Sequence, residues 1–103
     1  MKLLFVCNQG KYRSKTAQDL FSKKHNTNSA GIFSEENSLT KNKILEADII
    51  FTMEENQRKE IATRFPKEYM MKRIICLEIP DIYNYGDPEL KKILRRKVNK
   101  YEI

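Results

Sequence analysis

The sequence predicts an α/β protein: a parallel sheet carrying helices on both faces, in three layers. Three observations lead there. Short apolar runs recur along the chain, at 2–7, 29–32, 48–53 and 72–79. Each is followed by a stretch with helical features. The longer runs are solid and not alternating, as expected of strands covered on both faces. Strand–helix alternation of this kind requires right-handed crossovers and a parallel sheet.

The elements follow in order. Lys2–Cys7, with Leu3-Leu4-Phe5-Val6 at its centre, reads as a buried strand, and residues 8–13 as a loop. A helix is expected from about Ser14 to Lys24, because Ala17, Leu20 and Phe21 share one helical face. His25–Asn28 reads as a polar turn and His25 as a surface residue. Ser29–Ile32 reads as a short second strand. Ser38 or Thr40 can cap a short helix over 41–47. Asp48–Met53 is a third strand. A helix from Glu54 to Phe65 follows, with acids in its first turn, ended by Pro66. Lys72–Ile79 is the fourth strand, stopped by Pro80. Asp87 as N-cap and Pro88 at N1 begin the last helix, whose inner face is Leu90, Ile93, Leu94, Val98 and Tyr101.

The 103 residues are expected to form one domain, 1–103, with 40% hydrophobic residues for a single core and 33% charged residues for its surface. No apolar run approaches the roughly 20 residues that span a bilayer. Lys2 and the four apolar residues after it are too short for a signal peptide, so a cytoplasmic location is expected. Two cysteines, Cys7 and Cys76, exclude a disulfide framework, and with one histidine they make no zinc ligand set. No cofactor is expected. Cys76 lies in a strand and reads as a small buried hydrophobe. The net charge of +6 favours acidic partners, although the basic stretch Lys91–Lys100 also fits a solvated helix face.

Ligands of parallel sheets bind beyond the carboxyl ends of the strands. Cys7 ends the first strand and Pro80-Asp81 ends the fourth, so both loops open on one rim. The first loop, Cys7 to Ser14, has the parts of a phosphate site. Backbone N–H groups between a strand and a helix N-terminus converge on an anion. Gly10 permits a positive φ. Arg13 can fork onto two phosphate oxygens. The same positive field favours the thiolate of Cys7, the nucleophilic form. Attack on phosphorus gives a cysteinyl-phosphate that water releases. Ser14 either bonds the sulfur or caps the helix.

Residues 5–14, FVCNQGKYRS, resemble the phosphate loop of the low-molecular-weight protein tyrosine phosphatases. So do Ser29-Ala30-Gly31, the stretch LTKNKILEADIIFTME from Leu39 to Glu54, and Ile79-Pro80-Asp81-Ile82-Tyr83, which together cover nearly the whole chain. The resemblance implies a flavodoxin-like sheet of order 2-1-3-4 and hydrolysis of phosphate monoesters, with protein phosphotyrosine as the family substrate and inorganic phosphate as product. It implies catalysis by Cys7, Arg13 and Asp81. Substrate would be held by Asn8, Gln9, Gly10, Lys11, Tyr12 and Ser14, with Tyr83 beside the acid. The departures are Gln9 and Gly10 for the usual Gly and Asn, Tyr12 for a second cysteine, Lys15 for a proline, and a short 33–38 segment.

A leaving group needs a proton and the attacking water must lose one, tasks that one carboxyl can perform in turn. Asp81 directly follows the strand, whereas Asp87 is accounted for as a helix cap. Tyr83 and Tyr85 can flank an aryl ring or pack on the last helix. Phe33 and Tyr12 can add to the rim. Two other readings use the same residues: an arsenate reductase, which needs further cysteines, and a non-catalytic module binding phosphate or nucleic acid. Nucleic acid is possible but unsupported, and no membrane partner is expected.

Overall fold

In a computed structural model describing residues 1–103, four parallel strands stand in the order β2-β1-β3-β4. They are β1 (Lys2–Cys7), β2 (Asn26–Gly31), β3 (Ile49–Thr52) and β4 (Arg73–Cys76). Between and after them come α1 (Arg13–Phe21), α2 (Lys41–Glu46), α3 (Glu55–Arg64), α4 (Pro66–Met71) and α5 (Pro88–Asn99). The expected α/β architecture and strand order are present.

The layers follow from the period of two along β1, since successive side chains of a strand point to opposite faces. Leu3, Phe5 and Cys7 join Ala17 and Phe21 of α1 and Leu90, Leu94 and Val98 of α5 in one core. Leu4 and Val6 join Ile44 of α2 and Ile61 of α3 in the other, with Phe65 and Tyr69 packed against it. In the first core, Phe5 stacks on Phe21 at 5.7 Å and on Phe51 at 5.3 Å between ring centroids. The thiol of Cys7 therefore lies on the α1/α5 side of the sheet.

Three of the boundaries differ from expectation for a local reason. β2 begins at Asn26, because Asn26–Asn28 pair with Lys2–Leu4 despite their polar side chains; ladder pairing overrides weak propensity. Pro66 ends α3 but also starts α4, where its missing N–H costs nothing at the first helical position. β4 closes at Cys76, because Glu78 takes φ +55 and breaks the ladder. Leu77 and Ile79 still donate to the carbonyls of Thr52 and Met53, so the chain is delivered to the rim in register. Cys76 on this edge strand is half-buried, not buried. His25, expected at the surface, is half-buried as well.

Caps match the expected chemistry at two helices. Thr40 accepts from the N–H of Lys43 at the start of α2, and Asp87 accepts from the N–H of Glu89 at the start of α5. No helix is long and apolar enough to cross a membrane. Leu94→Ala should empty a fully buried site and lower stability by about 2–5 kcal/mol. Leu45→Ala, at an exposed position of α2, should stay within about 0.5 kcal/mol. Denaturant unfolding of both variants checks the contrast.

Candidate active site

The loop from Cys7 to Arg13 is folded around the sulfur. The N–H of Gly10 donates to Cys7 Sγ at 3.2 Å, and Ser14 Oγ lies 3.1 Å from it. Ser14 is therefore not the helix cap. The cap position is Tyr12, whose carbonyl accepts from the N–H and the hydroxyl of Thr16, and Ser14 sits buried as the second residue of the helix. Gly10 holds φ +67, the left-handed conformation that glycine adopts without a Cβ penalty.

The loop rests on Gly31 at the end of β2. A Cβ at Gly31 would lie 2.4 Å from the carbonyl carbon of Gln9 and 2.5 Å from the nitrogen of Gly10. Both are backbone atoms, so nothing flexible can give way. Asn8 is fixed from the other side, where its Oδ1 accepts from Asn56 Nδ2 and Gln57 Nε2, each at 2.8 Å. Gln57 is itself buried, and its Oε1 accepts from the N–H of Glu54 in a capping box.

Arg13 is 1% exposed, the bulkiest fully buried side chain in the protein. Its Nη1 donates to Glu54 Oε1 at 2.6 Å and to the carbonyl of Ile79 at 2.7 Å. Its Nη2 lies 3.6 Å from Asp81 Oδ1, while its buried Nε has no hydrogen-bond partner in the protein. One end of the guanidinium is thus anchored. The Nε/Nη2 edge, the fork that binds tetrahedral oxyanions in two-point fashion, keeps a free donor.

Behind the loop lies a polar cluster. Asn37 Nδ2 donates to the carbonyl of Gly10 and to Ser29 Oγ, both at 3.0 Å. Lys43 Nζ donates to Asn37 Oδ1 at 2.7 Å and also to the carbonyls of Ser29 and Ser38. Burial holds the Lys43 ammonium below its ordinary range. Ser29 Oγ in turn donates to Gln18 of α1 at 2.6 Å.

The structure brings Cys7, Gly10, Arg13, Ser14 and Asp81 together at the carboxyl ends of β1 and β4. Gln9, Lys11 and Tyr12 are exposed along the loop, with Lys11 4.0 Å from Glu36. Tyr83 is half-buried against the α1/α5 core, and Tyr85 donates from its hydroxyl to Asp19 of α1. That carboxylate holds the Tyr85 phenol above its ordinary range. Neither tyrosine is bonded to the loop. Asp87 is occupied by its cap bond at 2.8 Å.

Sequence reading missed Asn37, Lys43 and Gln57 and the pairing of Glu54 with Arg13. Only the placement of Glu54 at the carboxyl end of the third strand pointed toward the rim.

No protein-family model matches this chain, and no curated protein matches it by sequence. Solved structures do. A low molecular weight protein tyrosine phosphatase from Bacillus subtilis superposes with a TM-score of 0.77 at 20% identity, over 99% of this chain and 97% of that one. The tyrosine phosphatase Wzb from Escherichia coli K30, in complex with phosphate, gives 0.79 at 17%, over 97% and 94%. The YwlE arginine phosphatase from Geobacillus stearothermophilus gives 0.74 at 22%, over 98% and 92%. The fold is that of the low-molecular-weight protein tyrosine phosphatases. The likeness runs the full length of the chain and of each neighbour.

Gly31→Ala should force the Gln9–Gly10 backbone away from β2. We expect a stability loss of about 1–3 kcal/mol and weaker protection of the protein by inorganic phosphate against thermal unfolding. Unchanged phosphate protection in the variant would contradict the role given to this close approach.

Proposed function

We propose that this protein is a cysteine-dependent phosphatase acting on phosphate monoesters, with phosphotyrosine on a polypeptide as substrate. One observation carries the reading. A buried arginine, anchored at Nη1 and free at Nε, sits within reach of Asp81 at the end of a loop folded around a cysteine sulfur.

The phosphoryl oxygens take the loop N–H groups and the free edge of Arg13. Cys7 Sγ attacks phosphorus as the ester P–O bond breaks, and Asp81 gives its proton to the departing oxygen. Ser14 Oγ and the Gly10 N–H stabilise the sulfur before attack and after release. Water then attacks the cysteinyl-phosphate, Asp81 takes its proton, the S–P bond breaks, and phosphate leaves. Glu54 aims Arg13 without touching substrate. Asn8, Gln9, Lys11 and Tyr12 form the outer course of the phosphate cradle.

Two exposed aromatics border this loop: Tyr12 within it, and Phe33, whose N–H donates to the carbonyl of Asn8. They favour an aryl ester, with Tyr83 contributing an edge. Among the neighbours, Wzb is a tyrosine phosphatase and YwlE an arginine phosphatase. Another YwlE structure carries a phosphorylated active-site serine, which supports a covalent phosphoryl intermediate here.

Arsenate reduction by a cysteine relay is disfavoured by position. Cys76 pairs with Thr52, which lies beside Val6, so β3 stands between the two cysteine-bearing strands. Two strand spacings make about 10 Å, beyond the roughly 7 Å Cα separation that a disulfide bridges. Burial also pushes the Cys76 thiol up, which lowers its thiolate population.

Hydrolysis of p-nitrophenyl phosphate, inhibited by vanadate, is the direct test. Cys7→Ser should abolish turnover. Asp81→Asn should lower kcat by about 10²–10⁴-fold and leave phosphate binding intact, whereas Asp87→Asn should cost only stability. An active Cys7→Ser enzyme, or Asp87→Asn as the crippled variant, refutes these assignments.

A further inference from the structure

The loop carrying Asp81 has a second anchorage, away from the phosphate site. Gly86 N–H donates to Thr16 Oγ1 at 2.9 Å, and Tyr85 reaches Asp19. Thr16 Oγ1 in turn donates to the carbonyl of Tyr12, next to Arg13. From this point an open groove runs between α1 and α5, lined by Thr16, Lys23, Tyr85, Gly86, Lys91 and Arg95, with Asp19 and Leu20 on its floor. It continues past Lys24 and His25 toward the end of α5. Thr16 to Lys23 along the helical direction is about 10 Å, the length of about three extended residues.

The groove is positive. Lys23, Lys24, Lys91 and Arg95 make no ion pair within the protein, whose salt bridges lie elsewhere. Of its two acids, Asp19 already accepts the Tyr85 hydroxyl and Glu102 lies at the far end. The opposite flank of Asp81 is acidic: Glu54, paired with Arg13, Glu55, paired with Arg58, and the unpaired Glu78 line it beside Pro80. The mouth therefore changes sign from one side to the other. A phosphate monoester on a nucleic acid is a terminal group on an alkyl oxygen, whereas the exposed Tyr12 and Phe33 at the mouth favour the aryl ester of a polypeptide tyrosine. A polypeptide can place its charges on one side only.

We propose that the α1/α5 groove is a docking channel for the substrate polypeptide, selecting a phosphorylated segment with acidic residues to one side of the phosphorylated position. This rests on the phosphatase reading and names the substrate class for it. Lys23, Lys91 and Arg95 pair with those acids. The Glu54, Glu55 and Glu78 flank disfavours acids on the other side.

The test uses phosphotyrosine peptides carrying three glutamates before the phosphotyrosine, three after it, or none. It compares the wild type with the combined variant Lys23→Gln, Lys91→Gln, Arg95→Gln. One acidic peptide should have a kcat/KM about tenfold above the neutral peptide, the size expected of three exposed ion pairs. The advantage should vanish in the triple variant and fade with salt, while p-nitrophenyl phosphate turnover is unchanged. Binding of the same labelled peptides to Cys7→Ser, with and without the triple substitution, reads the groove independently of turnover. A wild type inactive on p-nitrophenyl phosphate would thus count against the phosphatase reading and leave the groove still measurable. Equal binding of acidic and neutral peptides overturns the docking proposal. So does an undiminished preference in the triple variant, or a single-stranded RNA that binds more tightly than either acidic peptide.

Discussion

A guanidinium without solvent fixes the layout of the site. Taking Arg13 out of water carries a penalty of several kcal/mol, which is tolerable only if its donors are met. Those at Nη1 are met from two other parts of the chain, and Nε is left for an oxyanion. Arg13 itself begins α1, Glu54 lies beyond the end of β3, and the Ile79 carbonyl lies beyond β4. Satisfying one buried cation thus ties three strand ends into a single rim. It also places Asp81, two residues after Ile79, within 3.6 Å of the same group. Removing either anchor would leave charge buried without compensation, so stability and site geometry are coupled at this residue.

The loop from Cys7 to Arg13 obtains its shape from its contacts as well as its own residues. Gly10 supplies the turn, but Gly31 supplies the room, and Asn37 holds the Gly10 carbonyl from behind. Lys43 then holds Asn37. A desolvated ammonium with three oxygen partners is a rigid peg, because releasing it would leave the oxygens around it unpaired. The short 33–38 segment is what lets Asn37 reach the loop: its own N–H bonds to Ser34 Oγ, and its carbonyl accepts from Gly31. A compact connection here serves as a brace for the anion cradle.

The surface charge shows the same economy. Lys97, on the basic face of α5, donates to the carbonyls of Leu77 and Glu78, so it holds the irregular end of β4. Lys91 and Arg95 on the same helix face the groove beside α1. One basic helix therefore splits into a structural end and an open stretch beside Tyr85 and Gly86.

Much of this was legible in the linear chain. Solid apolar runs gave buried parallel strands, because a strand covered on both faces has no polar side to show. Asp87-Pro88 gave the start of α5, because capping is a local matter of side chain and nearby backbone. The rule that ligands sit at carboxyl ends placed Asp81 on the same rim as Cys7, Arg13 and Ser14, and there Asp81 lies 3.6 Å from Arg13. Hydrogen bonds between residues distant in sequence leave no such trace. Nothing in Glu54 distinguishes an arginine's partner from a helix-end acid, and nothing in Lys43 distinguishes a half-buried peg from a surface lysine. The polar Asn26–Asn28 became strand only because β1 was there to pair with it. Ser14 left the cap position only because Tyr12 took it and the sulfur lay within reach. The helices and strands, and the residue types gathered at the first loop, could be read along the chain because they depend on near neighbours. Tertiary structure alone decided which partners Arg13, Gly10 and Asn37 have, since those depend on strand ends that only folding brings together.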